Sequence, residues 1–224
     1  PPRSTLFPYT TLFRSCDEII SRLENVKDPT IKSMVILTFR NKGELLEELE
    51  KCEEAIQVYD EVVMRFGKES EEVVRRIVIG TLNRKASLLV KLRKYEEGIK
   101  VYDDLVTLFG KDDEKVTKTN VGHALFEKAD LLNLLKRYEE AIKIYDEIVV
   151  RFGIDNEEDF KTNVAGALSA KGSVLERLEK YEEAIQAYDE IVKRCQGEES
   201  STLKDWVTGA NRRKEDLVKR LNKP

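Results

Sequence analysis

Apolar residues recur at spacings of three and four through residues 138–152, where Ala141, Ile142, Tyr145, Ile148, Val149 and Phe152 form one stripe of an amphipathic helix. The same wording, YEEAIKIYDEIVVRFG from Tyr138, returns from Cys52, Tyr95 and Tyr181, each start 43 residues from the last. A longer amphipathic helix precedes each copy, at about 70–93, 112–136 and 155–179. Its inner face reads Val78, Leu82, Ala86, Leu89 and Leu92, repeated as Val121, Leu125, Ala129, Leu132 and Leu135. Both helices have an apolar face, so neither is stable alone, and stacking of successive pairs supplies the core. Gly67, Gly110 and Gly153 are placed to stop the second helices. Asp155 and Glu158 have capping-box spacing, and Asp28 before Pro29 reads as an N-cap.

Residues 1–15 share nothing with the repeat. TLFPYTTLFRS, Thr5 to Ser15, resembles the conceptual translation of a common short-read sequencing adapter. It lacks the basic start and long apolar core of a signal peptide. Residues 1–15 are therefore expected to be adapter-derived, and 16–27 to be the remnant second helix of a truncated repeat. Four tandem repeats follow at 28–197, then a C-terminal cap helix at 198–224. In that helix Glu215 and Asn211 replace the small and apolar residues of the inner face. A glutamate is costly at a close helix contact, so a solvating end to a fragment of a longer array is expected.

A long helix with a small residue midway (Gly43, Ala86, Ala129, Gly172), then L–x–x–(Y/C)–E–E–(A/G)–I–x–x–Y, resembles the tetratricopeptide repeat. The RYEEAIKIYDEIVVRFG wording and the Lys42-Gly43 and Lys171-Gly172 pairs are similar to a bacterial variant of that family. Two features depart from the usual pattern: the 43-residue period, and glycine where the family ends its repeat with proline. The resemblance implies an all-α, right-handed solenoid of antiparallel helix pairs, working as a cytoplasmic protein-interaction scaffold.

Composition excludes more than it assigns. A net charge of −4 with pI near 5.4 disfavours RNA or DNA as partner. No run approaches the ~18 apolar residues of a membrane span. Cys16, Cys52 and Cys195 stand where sister repeats carry an aromatic, which reads as three small core residues in a reducing compartment. His123 is the one histidine, without partners at metal-ligand spacing, and no nucleotide-binding, nucleophile-elbow or zinc-protease motif occurs. Neither a catalytic residue nor a metal or other cofactor is expected.

Two charged ladders run through every copy: Lys42, Lys85, Lys128, Lys171 and Lys214, and Asp17, Asp60, Asp103, Asp146 and Asp189. Each Asp is expected to pair with the Lys 25 residues on, stitching one repeat to the next. Binding is sought where copies differ. The third repeat has Phe126 where others have Arg40, Asn83, Ser169 and Arg212, and Leu134 where others have Glu48, Lys91, Arg177 and Arg220. Phe126, Asp130 and Leu134 are four apart and share one helix face. Val90, in place of Glu47, Asn133, Glu176 and Lys219, is expected on the adjacent helix.

The resemblance places these positions in a concave groove. Phe126, Leu134 and Val90 are then expected as anchors for an extended peptide or helix of a protein partner, with Arg40, Asn83, Arg84 and Asp130 setting specificity. Local packing is an equal reading of the apolar island. The alternative for the whole chain is a spacer or self-association arm of a larger sensor or effector.

Overall fold

The computed structural model describes residues 3–23 and 28–222, with side chains from residue 13 onward. Among them are ten helices and no strand: α1 Arg3–Leu23, α2 Pro29–Glu48, α3 Cys52–Phe66, α4 Glu72–Lys91, α5 Tyr95–Phe109, α6 Lys115–Leu134, α7 Tyr138–Phe152, α8 Glu158–Arg177, α9 Tyr181–Cys195 and α10 Ser201–Leu221. Even-numbered helices before α10 are 20 residues long and the second helices that follow them 15. They start at the interval of the sequence repeat. The first helices are a turn shorter than their apolar pattern suggested. The chain divides into two compact bodies, residues 1–117 and 118–224, the boundary falling in the first turn of α6.

In each body the helix pairs stack as an α-solenoid. Within the N-terminal body α2 packs on α3, α3 on α4 and α4 on α5, and the first helices α2 and α4 also touch. The C-terminal body repeats the scheme, with α7 on α8, α8 on α9, α9 on α10, and α8 against α10. Tyr59, Tyr145 and Tyr188 from the second helices are buried, with Val78, Leu82, Leu89, Leu125, Leu132, Leu168 and Leu175 from the first. Each such large apolar side chain contributes about 1.5–3 kcal/mol. The midway small residue is explained by the tyrosine. A Cβ on Gly43 would collide with the Tyr59 ring, and one on Gly172 would stand 2.7 Å from Tyr188 Cζ. Glu215, at the same register in α10, is exposed.

Helix α1 runs unbroken across the expected junction at Cys16, and Cys16 and Ile20 are buried. The side chains of residues 5–12 of the adapter-like stretch, the expected end of the half repeat at 24–27, and residues 223–224 lie outside the described residues.

Gly67, Gly110 and Gly153 end their helices as expected, in right-handed conformation (φ −63, −66 and −71) rather than the left-handed form usual for a terminating glycine. At Gly67 the reason is space, since a Cβ would stand 2.5 Å from the Val63 carbonyl oxygen. The left-handed turns occur instead after the first helices, on Glu50, Arg93, Lys136 and Glu179 (φ 59 to 61). There the Lys51 N–H donates to the Leu46 carbonyl at 2.8 Å and the Glu50 N–H to Glu47 at 3.0 Å, a Schellman closure repeated four times without glycine. Asp155 does not cap α8. The N-cap is Glu157, without a side-chain bond, whereas Asp155 faces Lys118 at 3.5 Å. Asp28 does cap α2, accepting from Thr30 and Ile31 N–H.

Successive repeats are tied by two sets of ion pairs. Lys42–Asp17, Lys85–Asp60 and Lys171–Asp146 close at 2.5 Å and Lys214–Asp189 at 2.6 Å, as the ladder spacing required. A second set, 37 residues apart in sequence, was not anticipated: Lys32–Glu69 (2.7 Å), Arg75–Asp112 (2.8 Å), Lys118–Asp155 (3.5 Å) and Lys161–Glu198 (2.7 Å). Its signal was a cation at one register of every first helix and a carboxylate just past every second helix. Cys52, expected in the core, is only half-buried at the start of α3.

Candidate functional site

In the N-terminal body the first-helix faces of α2 and α4 enclose an open groove of about 600 Å3, lined by Arg40, Glu44 and Glu47 from α2 and Asn83, Arg84 and Lys91 from α4. Three of the expected site residues, Arg40, Asn83 and Arg84, therefore come together. Arg84 is already engaged: its guanidinium spans Glu44 (3.2 Å) and Glu47 (3.1 Å), and Glu47 also accepts the Tyr59 hydroxyl at 2.5 Å. Arg40 lies 3.6 Å from Glu44. The side chain of Glu47 is only 14% exposed, so it is held by its partners rather than by water. Burial, then the Glu47 carboxylate, pushes the Tyr59 phenol well above its usual range. Val90 is half-buried at the register where Glu47 and Glu176 accept tyrosine hydroxyls.

In the C-terminal body the corresponding face is built otherwise. Phe126 is half-buried on α6, edge-on to Tyr145 at 5.9 Å between ring centroids. Its ring lies 3.5 Å from where a Cβ on Gly166 would be, and Trp206 of α10 approaches the same point to 3.8 Å. The two aromatic rings thus cover Gly166 from the helices on either side of α8. Leu134, two turns beyond Phe126, is 58% exposed. Phe126 is thus packed against its neighbours, whereas Leu134 is largely in water. Asp130 accepts the Tyr145 hydroxyl at 2.6 Å. Burial and this carboxylate hold the Tyr145 phenol far up, and burial with Glu176 pushes Tyr188 up to about 12.

The expected trio of Phe126, Leu134 and Val90 divides between the bodies, the first two in one and Val90 in the other. Trp206 was missed. Its register holds Met34, Ile77, Asn120 and Asn163, and extending the between-copy comparison to the last helix would have singled it out.

His123 is exposed beside Glu127 at 3.5 Å. Among the described residues no cluster of three or more His, Cys, Asp or Glu could hold a metal, and no helix is long and apolar enough to cross a membrane. The Glu53-Glu54, Glu96-Glu97, Glu139-Glu140 and Glu182-Glu183 pairs lie exposed in the first turns of the second helices, where they complement the helix dipole.

No curated protein sequence matches the chain significantly. Among solved structures it is similar to BtubC (BKLC) from P. vanneervenii, with TM-score 0.57 and 15% identity, covering 95% of this chain and 87% of that one. It is also similar to an ArsTM double mutant of MamA RS-1, with TM-score 0.47 and 18% identity over 86% and 98% of the two chains. The first of these likenesses concerns the fold alone. Tetratricopeptide repeat family profiles match residues 83–157 and again residues 165–197. The second match includes the helix pair in which Gly172 meets Tyr188, and the chain is a tetratricopeptide repeat protein.

Proposed function

We propose that the chain is a non-enzymatic interaction module that holds an extended peptide or helix of a protein partner on its first-helix faces. Repeats of this family serve in general as protein-interaction scaffolds. The observation that carries the reading here is Leu134, whose side chain is largely in water on the same α6 face as Phe126. An isolated exposed leucine is ordinary. One that replaces the charged residues of every other copy, two turns from an aromatic pair at Gly166, has the form of an anchor point. A partner's apolar side chain laid over Leu134 would gain roughly 25 cal/mol per Å2 buried. In the N-terminal body Arg84 and Arg40 would serve by exchanging Glu44 for a partner carboxylate, and Asn83 by hydrogen bonding. Binding there would carry selectivity rather than net affinity.

The test is peptide-display panning against the whole chain, with enriched sequences rescreened on Leu134→Asp. That substitution changes an exposed side chain and leaves the core alone. Enriched peptides that fail on the variant support a groove-binding module. An absence of enrichment, or equal binding to both proteins, removes the proposal and favours the spacer or self-association arm.

A further inference from the structure

Three second helices end in an aromatic, Phe66, Phe109 and Phe152, and the fourth ends in Cys195. Phe152 is fully enclosed. It stacks on Phe160 at 5.6 Å, and its ring edge lies 3.3 Å from where a Cβ on Gly122 would be. Phe66 meets Phe39 of its own repeat edge-on at 6.4 Å. Carried forward to the fourth repeat, the Gly122 position becomes Ala165 and the Phe39 position becomes Leu168. Ala165, Leu168, Val164, Ile191 and Cys195 all line one cavity of about 190 Å3. All five are at most 4% exposed. The cavity therefore lies where the aromatic ring of this repeat would sit, and no neighbouring side chain has moved in to fill it.

Its rim is polar, and the rim charges are already paired. Lys161 binds Glu198 at 2.7 Å, and Arg194 donates to Glu190 at 2.7 Å and to the Gly153 carbonyl at 2.9 Å. No free charge calls for an ion inside, and burial keeps the Cys195 thiol neutral by pushing its pKa up. These five side chains form an apolar floor beneath a polar, open mouth, and a ring laid on that floor would displace water from it.

We propose that this cavity is a binding site for a neutral single-ring aromatic molecule, whose ring takes the place that Phe152 fills in the preceding repeat. A polar substituent on the ring would remain at the rim beside Asn156. The site is separate from the first-helix faces, so its success or failure says nothing about the peptide groove.

The test is calorimetric melting of the full chain with toluene as probe. At tenfold excess over the dissociation constant a rise in Tm of about 3 °C is expected. The Cys195→Phe variant, which supplies the missing ring itself, should melt no lower than the unchanged chain and show no rise. Cys195→Met, a slimmer filler, should show a reduced rise and replaces the first variant if that one does not fold. No rise in the unchanged chain overturns the proposal. So does a rise of the same size in whichever filled variant folds.

Discussion

A methyl group added at Gly80 on α4 would meet no atom within 4 Å, whereas one at Gly166, the same register on α8, would touch the Phe126 and Trp206 rings. The backbone of the two first helices is the same, so the difference comes from the side chains that flank each glycine. In the N-terminal body Arg40, on the preceding helix, holds the place that Phe126 holds in the C-terminal body, and it turns to Glu44. The repeat thus fixes a surface of constant shape and leaves its covering to residues that the core does not constrain. One body presents a charged, open groove and the other an aromatic cover with an exposed leucine.

The largest expected effect lies at high pH. Tyr145 and Tyr188 in the C-terminal body and Tyr59 in the N-terminal body hydrogen-bond to carboxylates and have raised pKa values. A raised phenol pKa means that the folded state keeps its proton longer than the unfolded chain does. The resulting stability is complete below pH about 10 and is lost as pH rises through the folded value, about 12 for Tyr188. Both bodies should therefore lose stability as pH rises above 10. Amide exchange followed by mass spectrometry along the chain would show this, and unchanged protection around Tyr59, Tyr145 and Tyr188 would contradict it.

Truncation of the groove residues should separate the two surfaces next. Phe126→Ala removes the contact with Tyr145 and uncovers Gly166, at a cost of about 2 kcal/mol, below the 3–5 kcal/mol of a fully buried phenylalanine because Phe126 is half-buried. Arg84→Ala should cost under about 1 kcal/mol, since its guanidinium is partly in water and Glu47 keeps Tyr59 as partner. Urea unfolding of both variants gives the ratio, and equal costs would mean that the charged network is as much a part of the core as the aromatic cover. Arg40→Phe carries the comparison further by giving the N-terminal body the ring that its neighbour has. It should face Tyr59 and close over Gly80, raising stability by up to about 1 kcal/mol and narrowing the groove. A loss of stability would show that the Arg40–Glu44 pair contributes more than the ring.

A smaller gain is expected equally in both bodies at the left-handed turns. A non-glycine residue in that conformation costs about 1 kcal/mol, so Glu50→Gly and Glu179→Gly should each stabilise by about 0.5–1 kcal/mol despite the greater freedom of glycine in the unfolded chain. These turns explain a limit of the sequence. Period, helix pairing and the small-residue contacts were legible because each is imposed by packing and recurs in every copy. The left-handed Glu50, Arg93, Lys136 and Glu179 recur too, but their side chains advertise helix rather than turn, and only the four-fold Schellman bonds identify them. At the candidate site the singularity of Phe126 and Leu134 was readable, whereas the engagement of Asp130 with Tyr145 and of Arg84 with Glu47 was not. Those bonds depend on which carboxylate a buried hydroxyl or guanidinium reaches across two helices, and no spacing rule states that. Trp206 was readable in principle and hidden in practice by its place in the last helix.

The smallest effect tests what the bodies share. The Lys171–Asp146 pair closes at 2.5 Å, with the lysine 23% and the aspartate 49% exposed. Half of the pair is thus in water, where solvent screens the attraction and ordering both side chains offsets part of it, leaving about 0–1 kcal/mol. In a double-mutant cycle Asp146→Asn and Lys171→Met should couple within that range, and the coupling should shrink between 0.05 and 0.5 M salt as the Debye length falls. The same cycle on Lys85–Asp60, with its more enclosed lysine at 14%, should retain more coupling at high salt. If both cycles are strictly additive, the ladder contributes register without energy. The apolar contacts between first and second helices would then hold each stack alone, and the difference between the two bodies would reduce to their covering residues.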